Sequence, residues 1–205
     1  MKTFTASAAA AIAAAALTLM MVPAQSGSDA DLGAAIDAVK SASERFRDVK
    51  VALAEGYVAD PGNHCVTAAA EGLPAELGGM GIHYLHPELL QLTATEPRVD
   101  GNGTHTDFEK PAILIYEPAA DGSLVLVGVE NLVFKNAWET AGNTEPPVFA
   151  GRKWDLMEDN PDTASDEAHG FAPHYDQHVY LMDDDLTAAV QPFHRSVTCE
   201  HHKDH

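Results

Sequence analysis

The sequence predicts an α+β fold: an N-terminal amphipathic helix packed on a mainly antiparallel β-sheet or barrel-like β domain. Three observations carry this. Apolar residues recur at three- and four-residue steps from about 29 to 55, the period of one helix face. Residues 112–134 read as two apolar strands around the turn signal Asp121-Gly122. Residues 173–181, Pro-His-Tyr-Asp-Gln-His-Val-Tyr-Leu, read as another short strand, whose side chains alternate between two faces.

The chain opens on a targeting signal. Lys2 supplies a positive start, residues 8–22 are an apolar run, and Val22-Pro23-Ala24 is a small-residue cleavage pattern. The expected organisation is a signal peptide over 1–24 and a single β-rich domain over 25–205, which carries the N-terminal helix and a His-rich C-terminal tail. The alternative is an uncleaved anchor helix, since ~20 apolar residues span a bilayer. The Ala-heavy run and the Gln-Ser-Gly-Ser that follows favour cleavage. No Cys lies near the cut to accept a lipid, and no later segment is apolar enough to cross a membrane. The expected location is periplasmic or secreted.

Composition narrows the partners. Twelve basic residues face 31 acidic ones, for a formal charge of −19, and loss of the leader removes only Lys2. Such a chain repels nucleic acid and anionic membrane surfaces. It suits a site that attracts cations, although a solvated acidic surface accounts for the charge equally well. A homo-oligomer stays open. The two cysteines, Cys65 and Cys199, most simply form a disulfide in an oxidising compartment. The alternative, two thiolate ligands, lacks metal-site spacing.

Taken in order, the helix spans Leu32, Ile36, Val39, Phe46, Val49, Leu53 and Tyr57, with Ser28 and Asp31 as a capping box and Gly56 as a stop. A glycine-rich stretch over 72–81 leads into a short strand carrying His83 and ended by Pro87. Residues 88–92 suit a helical turn and 96–109 a polar surface loop. Strands over 112–117 and 123–134 form the β-core; the second is apolar on both faces and therefore buried on both sides. Trp138 falls in a short helix. Residues 148–157 form a further strand or an irregular segment anchored by Trp154, ahead of an acidic loop.

Eleven histidines in this acidic chain exceed what a core requires. On one strand, His174, Asp176 and His178 share a face, about 7 Å apart at ~3.4 Å rise per residue. His83 offers a third imidazole. Glu130 interrupts an apolar strand, where a lone buried carboxylate is costly. The expected metal ligands are therefore His83, Glu130, His174 and His178, holding one transition metal ion (Zn, Cu, Mn or Fe). Asp176 is expected to orient a histidine from behind, and His86 is a weaker neighbour, facing away unless Pro87 bends the chain. A buried salt bridge is the competing reading of Glu130, and hydrogen bonds to backbone carbonyls that of each histidine. The pairs His105/Asp107 and Glu167/His169 suit loop hydrogen bonding better than ligation. The terminal His201, His202 and His205 suit a weak metal-catching arm at most.

Gly79-Met80-Gly81-Ile82-His83-Tyr84 and Pro173-His174-Tyr175-Asp176-Gln177-His178 resemble the paired Met-Gly-x-His-aromatic and Pro-His-aromatic-Asp-x-His signatures of small exported bacterial proteins of unassigned function. The segments Leu114–Glu117 and Val129-Glu130 are similar too, so the resemblance spans about 50–200. It implies a β-rich exported domain and names no reaction. No GxSxG, P-loop, GxGxxG or HExxH motif occurs. The function expected is metal binding for handling or sensing. The alternatives are a metalloenzyme with a cupin-like three-His/one-Glu site, or a structural or assembly domain without metal.

Overall fold

The computed structural model describes residues 27–203 apart from 164, 165 and 183. The expected signal peptide over 1–24 and His205 lie outside the described residues. The expected helix forms, but in two pieces. α1 (Asp29–Ser43) starts at the capping box, where Ser28 Oγ accepts from the Asp31 N–H and Asp31 Oδ2 from the Ser28 N–H, each at 3.2 Å. After a 3-10 turn (Glu44–Arg47), α2 (Val49–Ala54) restarts. The break is at Asp48, which turns extended and accepts from the Lys50 N–H at 3.0 Å. A short acid that can bond its own neighbouring amide competes with helix continuation.

The remaining elements are β1 (Val58–Ala59), β2 (Cys65–Thr67), β3 (Gly79–Leu85), α3 (Pro87–Leu90), β4 (Leu92–Ala94), β5 (Asp100–Gly101), β6 (Ile113–Pro118) and β7 (Leu124–Phe134). They continue with α4 (Lys135–Thr140), β8 (Val148–Phe149), β9 (Arg152–Lys153), β10 (Asp155–Met157) and β11 (His174–Tyr180). Seven strands form one antiparallel sheet, ordered β1-β3-β6-β7-β11-β10, with β2 also pairing β3. The two ends of that path do not pair, so the sheet is open and the barrel-like alternative is not formed. The 148–157 stretch becomes the β8–β9 hairpin plus β10, with Trp154 buried.

Register decides which residues meet. His178 lies opposite Glu130, Glu130 opposite Ile113, and Ile113 opposite Leu85. One row along, Tyr180, Gly128, Ile115 and His83 are in line. Cross-strand partners share a face, so His83, Glu130 and His178 project from the same side. Their chain neighbours project from the other. There Leu114, Tyr116, Val129, Val133 and Val179 pack with Ile36, Val39 and Phe46 of the helical layer. Tyr116 Oη fastens the layers by donating to the Phe46 carbonyl at 2.7 Å. The long apolar strand is thus buried on both faces because helices cover one and the site cavity's walls the other.

Gly81 lets β3 lie this close to β6. It takes φ +116°, and a Cβ there would stand 2.7 Å from Ile115 Cγ2 and 2.8 Å from the Tyr116 carbonyl oxygen. A side chain at this position would push away the strand that carries His83 two residues later. Cys65 and Cys199 form a disulfide across a separation of 134 residues, fastening β2 to the C-terminal segment and excluding the thiolate-ligand alternative. Among the described residues, no helix is long and apolar enough to cross a membrane.

Candidate metal centre

Three side chains converge on the site face. One donor atom from each of His83, Glu130 and His178 lies within 4.8 Å of the other two, and all three residues are buried. Glu130 Oε2 is 3.2 Å from His83 Nε2 and 3.5 Å from His178 Nε2. Yet Glu130 Oε2 and His178 Nε2 have no aligned hydrogen-bond partner. Leaving buried polar atoms unpaired costs free energy, so two such atoms facing each other beside His83 require a reason. A shared cation supplies one. Donors about 2.1 Å from a tetrahedral zinc ion stand ~3.4 Å apart and point at the ion rather than at each other.

The electrostatics agree. Burial pushes the Glu130 carboxyl up, but the imidazoles of His178, His83 and His174 outweigh it and hold the group at about 2. Burial pulls the His178 imidazole down to about 4, against the attraction of Glu130. For His83, burial also pulls downward, but contact with Glu130 and the charges of Glu130 and Asp60 raise it overall. At neutral pH the site therefore holds the Glu130 carboxylate and a neutral His178 imidazole, while Glu130 and Asp60 favour the charged form of His83. A metal ion would bind the imidazoles in their neutral form and would balance the Glu130 carboxylate.

His174 and Asp176 share this face but stand beyond the cluster. His174 Nδ1 is 2.9 Å from the Ala172 carbonyl oxygen, so the ring donates there and leaves Nε2 bare. That Nε2 is 3.9 Å from Asp176 Oδ2, and the three-donor group does not include it. Asp176 Oδ2 is 3.8 Å from His178 Nδ1, behind the ring rather than among the ligand atoms. His86 does not reach the site. Its Nδ1 accepts from the Leu89 N–H at 3.4 Å to cap α3, and its ring packs on Tyr57 with centroids 4.9 Å apart. Pro87 starts a helix immediately after it, which fixes His86 as a cap rather than a companion of His83.

Burial raises Asp176 well above the usual carboxylate range, and the charges of Glu130 and Asp155 raise it further. The folded protein thus keeps Asp176 protonated at a pH where the unfolded chain ionises it. Its stability contribution is full below the unfolded value near 3.8 and declines as pH rises toward the folded value. Metal-free Asp176→Asn is accordingly expected to melt higher than the unsubstituted protein at pH 7, with the difference shrinking below pH ~4. Each ~1 kcal/mol would appear as about 2–4 °C in the melting midpoint. A variant that melts lower at pH 7 would show that the acid is needed in its charged form.

The cluster opens on a cavity of about 500 Å³ walled by Asp60, Glu71, Val99, His169, Phe171 and His174, among others. His169 belongs to it in a way the sequence did not suggest. Its sequence neighbour Glu167 instead accepts from the Asn160 N–H at 3.1 Å and from Thr163 Oγ1 at 2.6 Å. His105, by contrast, makes loop hydrogen bonds, with Nε2 2.6 Å from the Lys110 carbonyl oxygen. No family model, curated protein or solved structure matches the chain.

Proposed function

We propose that this is an exported protein that binds one transition-metal ion through His83, Glu130 and His178, and that it handles or senses that metal outside the cytoplasm. The observation that carries the reading is the set of buried donors 3.2–3.5 Å apart, with Glu130 Oε2 and His178 Nε2 lacking any hydrogen-bond partner. A hydrogen-bonded structural core would have paired those atoms, which weighs against a purely structural role. The disulfide supports an oxidising compartment. Two imidazoles and a carboxylate suit Zn²⁺ and Fe²⁺, and the other first-row ions remain candidates.

One observation favours a second reading. The cavity of about 500 Å³ reaches the cluster and leaves room beside a three-coordinate ion. A metalloenzyme needs such a position for water or substrate. Here His174, with its bare Nε2, would stand near that position as a hydrogen-bond acceptor.

Protein purified from its native export route without a His-affinity step should contain close to one equivalent of a transition metal by elemental analysis. Less than about one-tenth of an equivalent, with none retained after reconstitution with Zn²⁺, Cu²⁺, Mn²⁺ and Fe²⁺ in turn, would overturn both metal readings.

A further inference from the structure

Outside the three-donor cluster, the same cavity holds a second imidazole–carboxylate contact with the same geometry. His169 Nδ1 lies 3.4 Å from Glu71 Oε1, yet neither His169 nitrogen has a hydrogen-bond partner and both are closed off from solvent. In an ordinary ion pair the N–H points at the oxygen. Here, as at Glu130 and His178, the two groups stand at the ~3.4 Å separation of donors shared by a tetrahedral ion, without pointing at each other. The backbone is also unusual. His169 takes φ +51° and Gly170 φ +80°, so the turn spends conformational energy on a non-glycine residue to bring this ring to the cavity wall.

We propose that His169 and Glu71 form an outer cation position, at which a divalent transition metal ion pauses on its way to His83, Glu130 and His178. This rests on the metal-binding reading above and specifies how the ion arrives. A hydrated divalent ion cannot enter a buried site without giving up water, and taking bare charge out of water is costly. One imidazole and one carboxylate replace part of the hydration shell before the inner donors replace the rest. Two protein ligands hold an ion loosely, which suits a transit position rather than storage. The cavity wall adds a favourable field. Asp60, Glu71 and Glu96 line it with no Lys or Arg among the lining residues, while the Asp166 carboxylate is engaged by Arg98 at 3.0 Å. His169 also feels the charges of Glu71, His83 and Glu130, which places the outer pair in electrostatic reach of the inner one.

The test is stopped-flow uptake and release of Zn²⁺, for the full chain and for Glu71→Gln and His169→Asn. Asparagine tolerates the left-handed backbone and removes the imidazole. A transit position works in both directions. Both variants should therefore load about tenfold more slowly and release Zn²⁺ more slowly by the same factor, leaving the equilibrium affinity of the inner site within about twofold. Unchanged uptake rates in both variants, with wild-type affinity, would overturn the outer position while leaving the inner centre standing. A loss of affinity matching the loss of uptake rate would assign the pair a structural role and also overturn it. Failure of the unsubstituted chain to take up Zn²⁺ or any ion of the panel would sink the inner centre, and this inference with it.

Discussion

Glu130→Gln should weaken Zn²⁺ binding more than about 100-fold, because loss of mere outer partners of metal ligands already costs about 10–100-fold. Glutamine keeps the shape and removes the charge that both His83 and His178 face at 3.2 and 3.5 Å. A neutral amide can offer its oxygen, but it cannot balance a divalent ion in a buried site. The substitution also has a signature without metal. His83 is raised by the contact and charge of Glu130 as well as by Asp60, against the downward pull of burial. In the variant its imidazole should titrate at lower pH, measurable by NMR of the metal-free protein. That shift would appear in a folded molecule and so separates loss of a ligand from loss of the fold. A Glu130→Gln protein that binds Zn²⁺ as tightly as the unsubstituted chain would remove the carboxylate from the centre.

The second large effect concerns the Cys65–Cys199 link. The paired substitution Cys65→Ser/Cys199→Ser should cost about 4–5 kcal/mol, the chain-entropy value for a closed loop of this length. For a domain of this size that lowers the melting midpoint by about 8–20 °C. The cost has a local part as well, because Cys65 lines the cavity and β2 pairs with β3 beside His83. Metal affinity should fall along with stability, although neither sulfur is a ligand. Calorimetry of the metal-free variant, paired with Zn²⁺ titration of both forms, separates the two. A midpoint within about 3 °C of the parent would show that the loop is already restrained in the unfolded chain.

The architecture of the site was legible in the sequence where a short period governs it. Alternation along a strand places His174, Asp176 and His178 on one face, and a lone acid in an apolar strand marks Glu130 as a buried group needing partners. What alternation cannot supply is reach. His174 lies four residues from His178 on the same face, yet it falls outside the three-donor group, and its Nδ1 is committed to the Ala172 carbonyl. The helix break at Asp48 was hidden because the apolar period runs through it, and only a side-chain-to-backbone bond halts the helix. His86 turned on the cap that Pro87 creates. His169 was the least legible, since its role depends on a left-handed turn and on Glu71, almost 100 positions earlier in the chain.

The alternation along β7 and β11 also constrains how the gene for this protein can change. Residues 129 and 133 face the helical layer, while 130 faces the site and 132 and 134 the apolar cluster on the same side. A single-codon insertion or deletion within either strand, unless absorbed by a bulge such as the one β7 carries opposite Ile115 and Tyr116, would exchange the two sets, sending Glu130 or His178 toward Phe46 and a valine into the metal cluster. Substitutions can tune this centre one side chain at a time. Length changes in these strands would disturb core and site together, so length variation is expected in the turns, such as Asp121–Ser123, that join the strands.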